Sequence, residues 1–404
     1  MSGPSRDKLA RATLTYLAEP GDPALGALLA GNEPAEVLAA IKADELPRGG
    51  ARSADTPASR AALTRALRRW RLRLPQLPGD AGLEQAVRDG IRLICPGDNE
   101  WPEGLDELGP ARPYALWVRG QADLRFSCLR SASVVGSRAA TSYGAHVAAE
   151  IAADLGERGW AVISGGAYGV DAAAHRGALA AEGVTIAVLA CGVDHPYPAG
   201  HADLFAAIAA QGLVISEWPP GTHPARTRFL VRNRSIAALT CGTVIVEAGE
   251  RSGALNTAKH AAELGKPLMA VPGPVTSAQS AGCHRIIRDW AASCVTRAAD
   301  VIDILSPLSV ADALAPAGGP GYASSPRSGP PGSRPPVTGQ PSRDDLDLDS
   351  ARVLDAFPAR GRIGPATIAV GAGVDLDTVL RCLGLLAGQG FIERCEGGWR
   401  LHRP

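Results

Sequence analysis

The chain has 404 residues, more than one hydrophobic core usually supports, and its 46% apolar and 20% charged content is that of a globular protein. Forty-one Lys and Arg balance 41 Asp and Glu. The sum does not exclude a polyanionic partner, because local charge sets the field in a groove. Met1 to Arg11 has no apolar h-region, and no run of about 18 apolar residues follows, so neither a secretory signal nor membrane insertion is expected.

The basic residues are 37 Arg and four Lys (Lys8, Lys42, Lys259, Lys266). This fits a GC-rich genome and equally fits phosphate recognition, where guanidinium is the better planar donor. The eight Cys form no C-x-x-C pair. That is the usage of buried free thiols in a reducing cytoplasm, with no disulfide framework and no zinc site.

Residues 1–78 read as short helices. Leu9, Thr13, Tyr16 and Leu17 fall at helical spacing, and Pro34 to Ile41 starts a second helix with Pro in its first turn. Ala58 to Leu74 is a third, carrying Arg60, Arg65, Arg68, Arg69, Arg71 and Arg73. This basic helix reads as a solvated face or a nucleic-acid contact.

Residues 79–305 alternate strands and helices. Apolar runs at Ser133–Val135, Ala161–Ile163, Thr185–Ala190, Leu213–Ile215, Thr243–Val246 and Pro267–Val271 are separated by helical stretches at Tyr143–Arg158, Val170–Ala181, Ala202–Ala210, Ser235–Leu239 and Ala254–Leu264. Strands apolar throughout are buried on both faces, which predicts a doubly wound, mainly parallel α/β sheet. Ligands of such sheets bind beyond the carboxyl ends of the strands. Gly136-Ser137-Arg138 and Ser164-Gly165-Gly166 follow two strands and lead into helices, so their backbone N–H groups are expected to hold a phosphate. No G-x-x-x-x-G-K-[ST] and no G-x-G-x-x-G in the required setting occurs, so neither a nucleotide-hydrolysing enzyme nor a nicotinamide cofactor is expected, and no cofactor is assigned.

Arg226 to Arg234 (RTRFLVRNR) holds four Arg in nine residues, and Trp218 to Val246 contains no acid. Arginines beside Phe229 describe a surface that fixes phosphates and stacks a base. Asp171 and His175, at i and i+4, are weighed as a metal pair against a helix-start acid and a hydrogen-bonded His. Glu217 and Glu247, at strand ends, are weighed as acid/base groups against carboxylates that orient an Arg.

Residues 306–345 contain a linker. Pro316 to Ser342 has 8 Pro, 6 Gly and 5 Ser, a composition expected to be disordered. Residues 346–404 read as three helices (Asp349–Ala356, Pro365–Val370, Asp375–Gly388) and a hairpin from Phe391 to Leu401, a winged helix. Its seven Arg balance seven acids from Leu346 onward, which does not support duplex DNA binding and leaves protein docking at least an equal expectation.

Four ordered stretches carry a resemblance to a known family. Val134-Val135-Gly136-Ser137-Arg138, the run from Ser164 to His175, Phe229-x-x-Arg232-Asn233-Arg234, and Glu250 to Ala258 (ERSGALNTA) are similar to the DNA-processing protein A (DprA/Smf) family. The resemblance spans residues 90–305. It implies an extended Rossmann domain that binds single-stranded DNA without hydrolysis, flanked by a helical (SAM-like) N-terminal domain and a winged helix. It further implies a cytoplasmic homodimer that loads RecA recombinase onto incoming strands during natural transformation. Together the residue patterns and the resemblance assign Gly136, Ser137, Arg138, Ser164, Gly165, Gly166, Phe229, Arg232, Asn233, Arg234, Ser252 and Gly253 to the DNA groove. Three positions depart from the pattern. Val184 and Val231 stand where relatives often carry basic residues, and His284 replaces an Asn; fewer phosphate contacts would flatten the salt dependence of binding. The rival reading is a nucleoside-monophosphate phosphoribohydrolase-like enzyme, from Cys241-Gly242-Thr243 with Glu247 and Gly249.

Overall fold

Prolines begin two of the first three helices, α1 (Arg6–Leu17), α2 (Pro23–Gly31) and α3 (Pro34–Ala43). At a first helical position a missing N–H costs nothing and the fixed φ is already helical. Asp22 caps α2 by accepting from the Ala24 N–H at 3.0 Å. With α4 (Pro57–Leu72) these helices enclose Leu14, Leu17, Leu25, Leu28, Ile41 and Trp70, all buried. A fully buried Leu of this kind contributes about 1.5–3 kcal/mol. Three helices were expected in this region, and α2 is additional. The computed structural model describes residues 6–45, 57–79, 85–86 and 88–306 of a first unit (Met1–Ala317). In a second (Gly318–Pro404) it describes 350, 353–354, 356–357, 362–372, 376–388, 391–395 and 398–401. The expected linker lies outside the described residues.

The sheet of the first unit begins with β1 (Arg92–Ile94) and β2 (Leu116–Arg119), followed by α5 (Leu124–Leu129). Then strands and helices alternate: β3 (Ser131–Val135), α6 (Ser142–Glu157), β4 (Ala161–Ser164), α7 (Val170–Ala180), β5 (Thr185–Leu189), α8 (Ala202–Gln211), β6 (Leu213–Ser216) and α9 (Arg226–Leu239). The unit closes with β7 (Gly242–Ile245), α10 (Ala254–Glu263), β8 (Leu268–Ala270), α11 (Ala281–Asp289), β9 (Ser293–Cys294) and α12 (Ala298–Leu305). The strand order is β1-β2-β6-β5-β4-β3-β7-β8-β9, and β6 through β9 pair in parallel.

Every residue of β3, β4, β5, β6 and β7 is buried, so helices must cover both faces. The hydroxyls this brings inside are satisfied: Ser133 Oγ donates to Thr243 Oγ1 at 2.8 Å across the β3–β7 pair. The sheet is not parallel throughout, because β2 runs antiparallel to both β6 and β1. These two strands and β9 are three, four and two residues long, too short to leave a periodic signal.

From β3 the chain steps outward to β6, then α9 carries it back to lay β7 on the other side of β3. The winding direction reverses there, and such a switch point opens a crevice beyond the carboxyl ends of the two strands. As the crossover helix, α9 starts at that end, so its first turns flank the crevice.

In the second unit, α13 (Pro365–Ala372) and α14 (Leu376–Gly388) precede a hairpin of β10 (Ile392–Cys395) and β11 (Gly398–Leu401), and Ile363 bridges to Trp399. Val379, Cys382, Leu383, Leu386 and Ile392 are buried in its own core.

Candidate nucleic-acid interface

A cleft of about 1020 Å³ opens at the switch point, lined by the turn after β3, the first turns of α9 and the segment leading into α10. The β3 turn is fixed from below by Glu247, which follows β7. The Ser137 N–H donates to the Glu247 carbonyl at 2.7 Å, while its carboxylate accepts from the Thr141 N–H at 2.9 Å and the Thr141 hydroxyl at 2.6 Å. Glu247 is buried, so this carboxylate orients a loop rather than facing a substrate. The held turn projects Arg138 outward, where its guanidinium lies over the Phe229 ring at 4.9 Å. Tyr197 lies beside Phe229, its ring tilted with centroids 5.6 Å apart, and is itself exposed.

The floor is made by α9. Phe229, Arg232, Asn233 and Ile236 recur at i, i+3, i+4 and i+7, one helical stripe, and all four line the cleft. Arg232 is 4% exposed; it donates to the Gly165 carbonyl at 2.8 Å, to the Val188 carbonyl, and to Asn233 Oδ1 at 3.2 Å. Burial pulls its guanidinium down to about 10, against the nearby Asp171 charge, so it stays protonated at neutral pH. Asn233 in turn donates to the Gly253 carbonyl and to Asn256 Oδ1, tying the floor to the start of α10.

The charge of the cleft is one-sided. Arg138, Arg226, Arg232 and Arg251 line it, and the one lining carboxylate is that of buried Asp171. Arg138, Arg226 and Arg251 are exposed and have no ion pair among the described residues. Guanidinium groups free in a groove with aromatic faces between them can fix successive phosphates and stack bases.

The sequence profile of the DNA recombination-mediator protein A family matches residues 92–306, the whole of this sheet and cleft. The chain belongs to that family. It is 46% identical over 331 residues to a putative DNA processing protein DprA of Mycobacterium tuberculosis, covering 80% of this chain and 79% of the relative. Over 206 residues it is 39% identical to the DNA processing protein DprA of Streptococcus pneumoniae (51% of this chain, 71% of the relative). The crystal structure of DNA processing protein A from S. pneumoniae superposes with a TM-score of 0.57 at 30% identity, covering 75% of this chain and 98% of that one.

Of the residues assigned to the groove, Gly136, Ser137, Arg138, Phe229, Arg232, Asn233, Ser252 and Gly253 line the cleft and four do not. Ser164 is buried and donates to the Val134 carbonyl at 2.7 Å. The expected phosphate cradle at Ser164 to Gly166 is filled from within: Asp171 accepts from the Gly165 and Ala167 N–H groups at 3.2 and 3.3 Å. A Cβ on Gly165 would meet the Arg232 guanidinium, so this turn is Gly-rich because a side chain passes beneath it. Arg234 is turned away from the cleft; it makes a fork to both Glu217 oxygens at 2.7 Å and reaches the Ala111 carbonyl at 3.1 Å.

The three departures from the family pattern also find their places. Val184 precedes the amino end of β5, the opposite end of the sheet from the cleft, while Val231 is half-buried on α9. His284 Nε2 faces the Gly273 carbonyl at 2.9 Å. Asp171 and His175 do not converge on a metal: the His175 Nδ1 contacts Thr185 Oγ1 at 2.7 Å, and no group of three metal-ligating residues occurs among the described residues. Of the residues that suggested a phosphoribohydrolase loop, Cys241 lies at the amino end of β7 and Thr243 inside the strand, away from the cleft, whereas Glu247 holds the turn after β3 and Gly249 lines the cleft. Arg226, Arg251 and Tyr197 also line the cleft, although none of them is among the residues assigned to the groove from the sequence. The first two sat inside the quoted motifs; for Tyr197 nothing in the spacing pointed to it. No helix among the described residues is long and apolar enough to cross a membrane.

Proposed function

We propose that the cleft binds single-stranded DNA, without preference for base sequence and without hydrolysing it. The observation that carries this reading is the exposed Arg138 guanidinium stacked on Phe229, with Tyr197 beside it, in a cleft whose one carboxylate is buried. Arg138, Arg226 and Arg251 take phosphates, Phe229 and Tyr197 take bases, and Arg232, Asn233, Ser252 and Gly253 shape the floor. Gly136 and Ser137 aim Arg138. Ser164, Gly165, Gly166 and Arg234 act beneath the surface, by holding the floor and α9 in place.

In this reading the protein is a cytoplasmic recombination mediator. It acts as a homodimer, protects incoming single strands and loads RecA recombinase on them during natural transformation. The family's description as a recombination mediator supports that role. Residues 1–78, 79–305 and 346–404 are taken as a helical, a DNA-binding and a winged-helix domain, with 306–345 joining the last two. Fluorescence anisotropy with labelled oligo(dT) and mixed-sequence strands tests the binding. Arg138→Ala should weaken both alike by roughly tenfold, the loss of one charge-assisted contact. Unchanged binding, or marked preference for one sequence, would count against it. RecA loading is tested separately: the lag of RecA's DNA-dependent ATP hydrolysis should shorten with the intact protein and not with Arg138→Ala.

A further inference from the structure

Helix α4 presents a second basic surface that the cleft does not use. Its core side is Leu63, Ala66, Leu67 and Trp70, all buried. On the other side Arg65, Arg69 and, one residue past the end of the helix, Arg73 follow at intervals of four, a row advancing about 6 Å per step along the axis. Together with the Glu19 to Ala24 segment they border a hollow of about 480 Å³. Its acids are already engaged: Asp22 with Arg69 at 3.3 Å, and Glu19 with Arg73 at 3.2 Å. Arg65 has no carboxylate partner among the described residues, and the Arg69 side chain is 68% exposed despite its pair.

The row is joined to α9, the helix that floors the cleft. Glu19 is shared, since Arg228 of α9 donates to both its oxygens at 3.1 and 2.8 Å while Arg73 donates to one of them. Trp218 Nε1 also donates to Glu19 at 2.9 Å, and the Arg228 guanidinium sits over the Trp218 ring at 5.9 Å. One carboxylate thus spaces two arginines, one from the helix that floors the cleft and one from the end of α4. Guanidinium groups therefore run from Arg228, two residues beyond the cleft-lining Arg226, through Arg73 to Arg69 and Arg65.

We propose that a single strand leaving the cleft past Arg226 continues along α4, with its phosphates on Arg73, Arg69 and Arg65. The N-terminal helices then lengthen the binding track rather than only packing against the α/β unit. This rests on the reading of the cleft as a single-strand site. The occupant is a phosphodiester backbone, because the row sets guanidinium groups about one helical turn apart along the rim of the hollow.

The test uses the full chain and two oligo(dT) lengths, about 5 nucleotides, enough for the cleft alone, and about 20. Arg65→Ala with Arg69→Ala should leave the short strand's affinity within twofold of wild type. It should weaken the long strand about tenfold and lower its salt slope by about 1.4, two contacts at about 0.7 each. Arg65→Glu should move the long strand alone in the same direction. Unchanged affinity and slope for the long strand would overturn the proposal. Equal weakening of both lengths would also overturn it, because α4 would then act through the cleft. Thermal unfolding of each variant checks the fold. If the wild type binds neither length in a salt-dependent way, the reading of the cleft itself has failed.

Discussion

The arginines around the cleft divide into two kinds, and substitution separates them. Arg234 is 8% exposed at its side chain and Glu217 2%, and the two form a fork with both contacts at 2.7 Å. Ser235 Oγ also donates to Glu217 at 2.5 Å. Replacing Glu217 by Ala leaves a guanidinium buried with no counter-charge, which costs about 3–5 kcal/mol. With a urea m-value near 3 kcal/mol/M, the unfolding midpoint of the first unit should fall by about 1–1.7 M. Arg138, on the surface, should change the midpoint little when replaced by Ala, by less than about 0.5 kcal/mol in stability. Binding should respond in the opposite order. Urea titration followed by tryptophan fluorescence, beside anisotropy on the same samples, reads both. If Glu217→Ala or Arg234→Ala keeps the midpoint but loses DNA binding, Arg234 is a contact residue and the division is wrong.

Other consequences are open to direct measurement. Phe229→Ala should lose one stacked base, about 1–3 kcal/mol, a 5- to 150-fold weaker Kd in anisotropy, whereas Phe229→Trp keeps a ring and should retain most of the affinity. His175 is wholly buried, and burial pushes its imidazole from the ordinary value near 6.5 down to about 3. Below about pH 6.5 the unfolded chain takes up this proton and the folded one does not, so stability should drop by about 1.4 kcal/mol per pH unit until the folded value is approached. His175→Gln should flatten that part of the stability profile between pH 6 and about 4 in urea titrations. Gly169 has φ +80°, and a Cβ there would strike the Ser137 and Arg138 carbonyls. Gly169→Ala should therefore displace the turn that aims Arg138, weakening DNA binding together with a loss of thermal stability.

The doubly wound core was legible because each parallel strand is an unbroken apolar run and each covering helix shows a stripe, as Ile151 and Leu155 of α6 do. The antiparallel edge was not, since β1 and β2 together hold seven residues. The first half of α9 escaped for another reason. Helix periodicity is read from alternating apolar and polar faces, but within Arg226 to Arg234 the exposed Arg226 is followed by two buried arginines, Arg232 and Arg234, so no apolar stripe marks the helix. The charges of the buried two are met by Glu217 and by backbone carbonyls distant in sequence, which no local pattern reveals. For the same reason the sequence showed that the acid-free stretch wanted an anion, but not that Arg234 already had one inside the protein. The Ser164 to Gly166 turn looked like a phosphate cradle because Gly after a strand is common to both cases. The Asp171 carboxylate beneath it made the difference.

The central claim is that a cleft rich in unpaired arginines at the switch point takes up the phosphates of a single strand. Its most direct measurement is the affinity for oligo(dT) and for duplex of equal length across a range of salt concentrations. The account predicts tighter binding of the single strand, with log K falling linearly in log salt at a slope of about −2 or steeper, three or more phosphate contacts at about 0.7 each. Binding insensitive to salt, or stronger for duplex than for single strand, would contradict it.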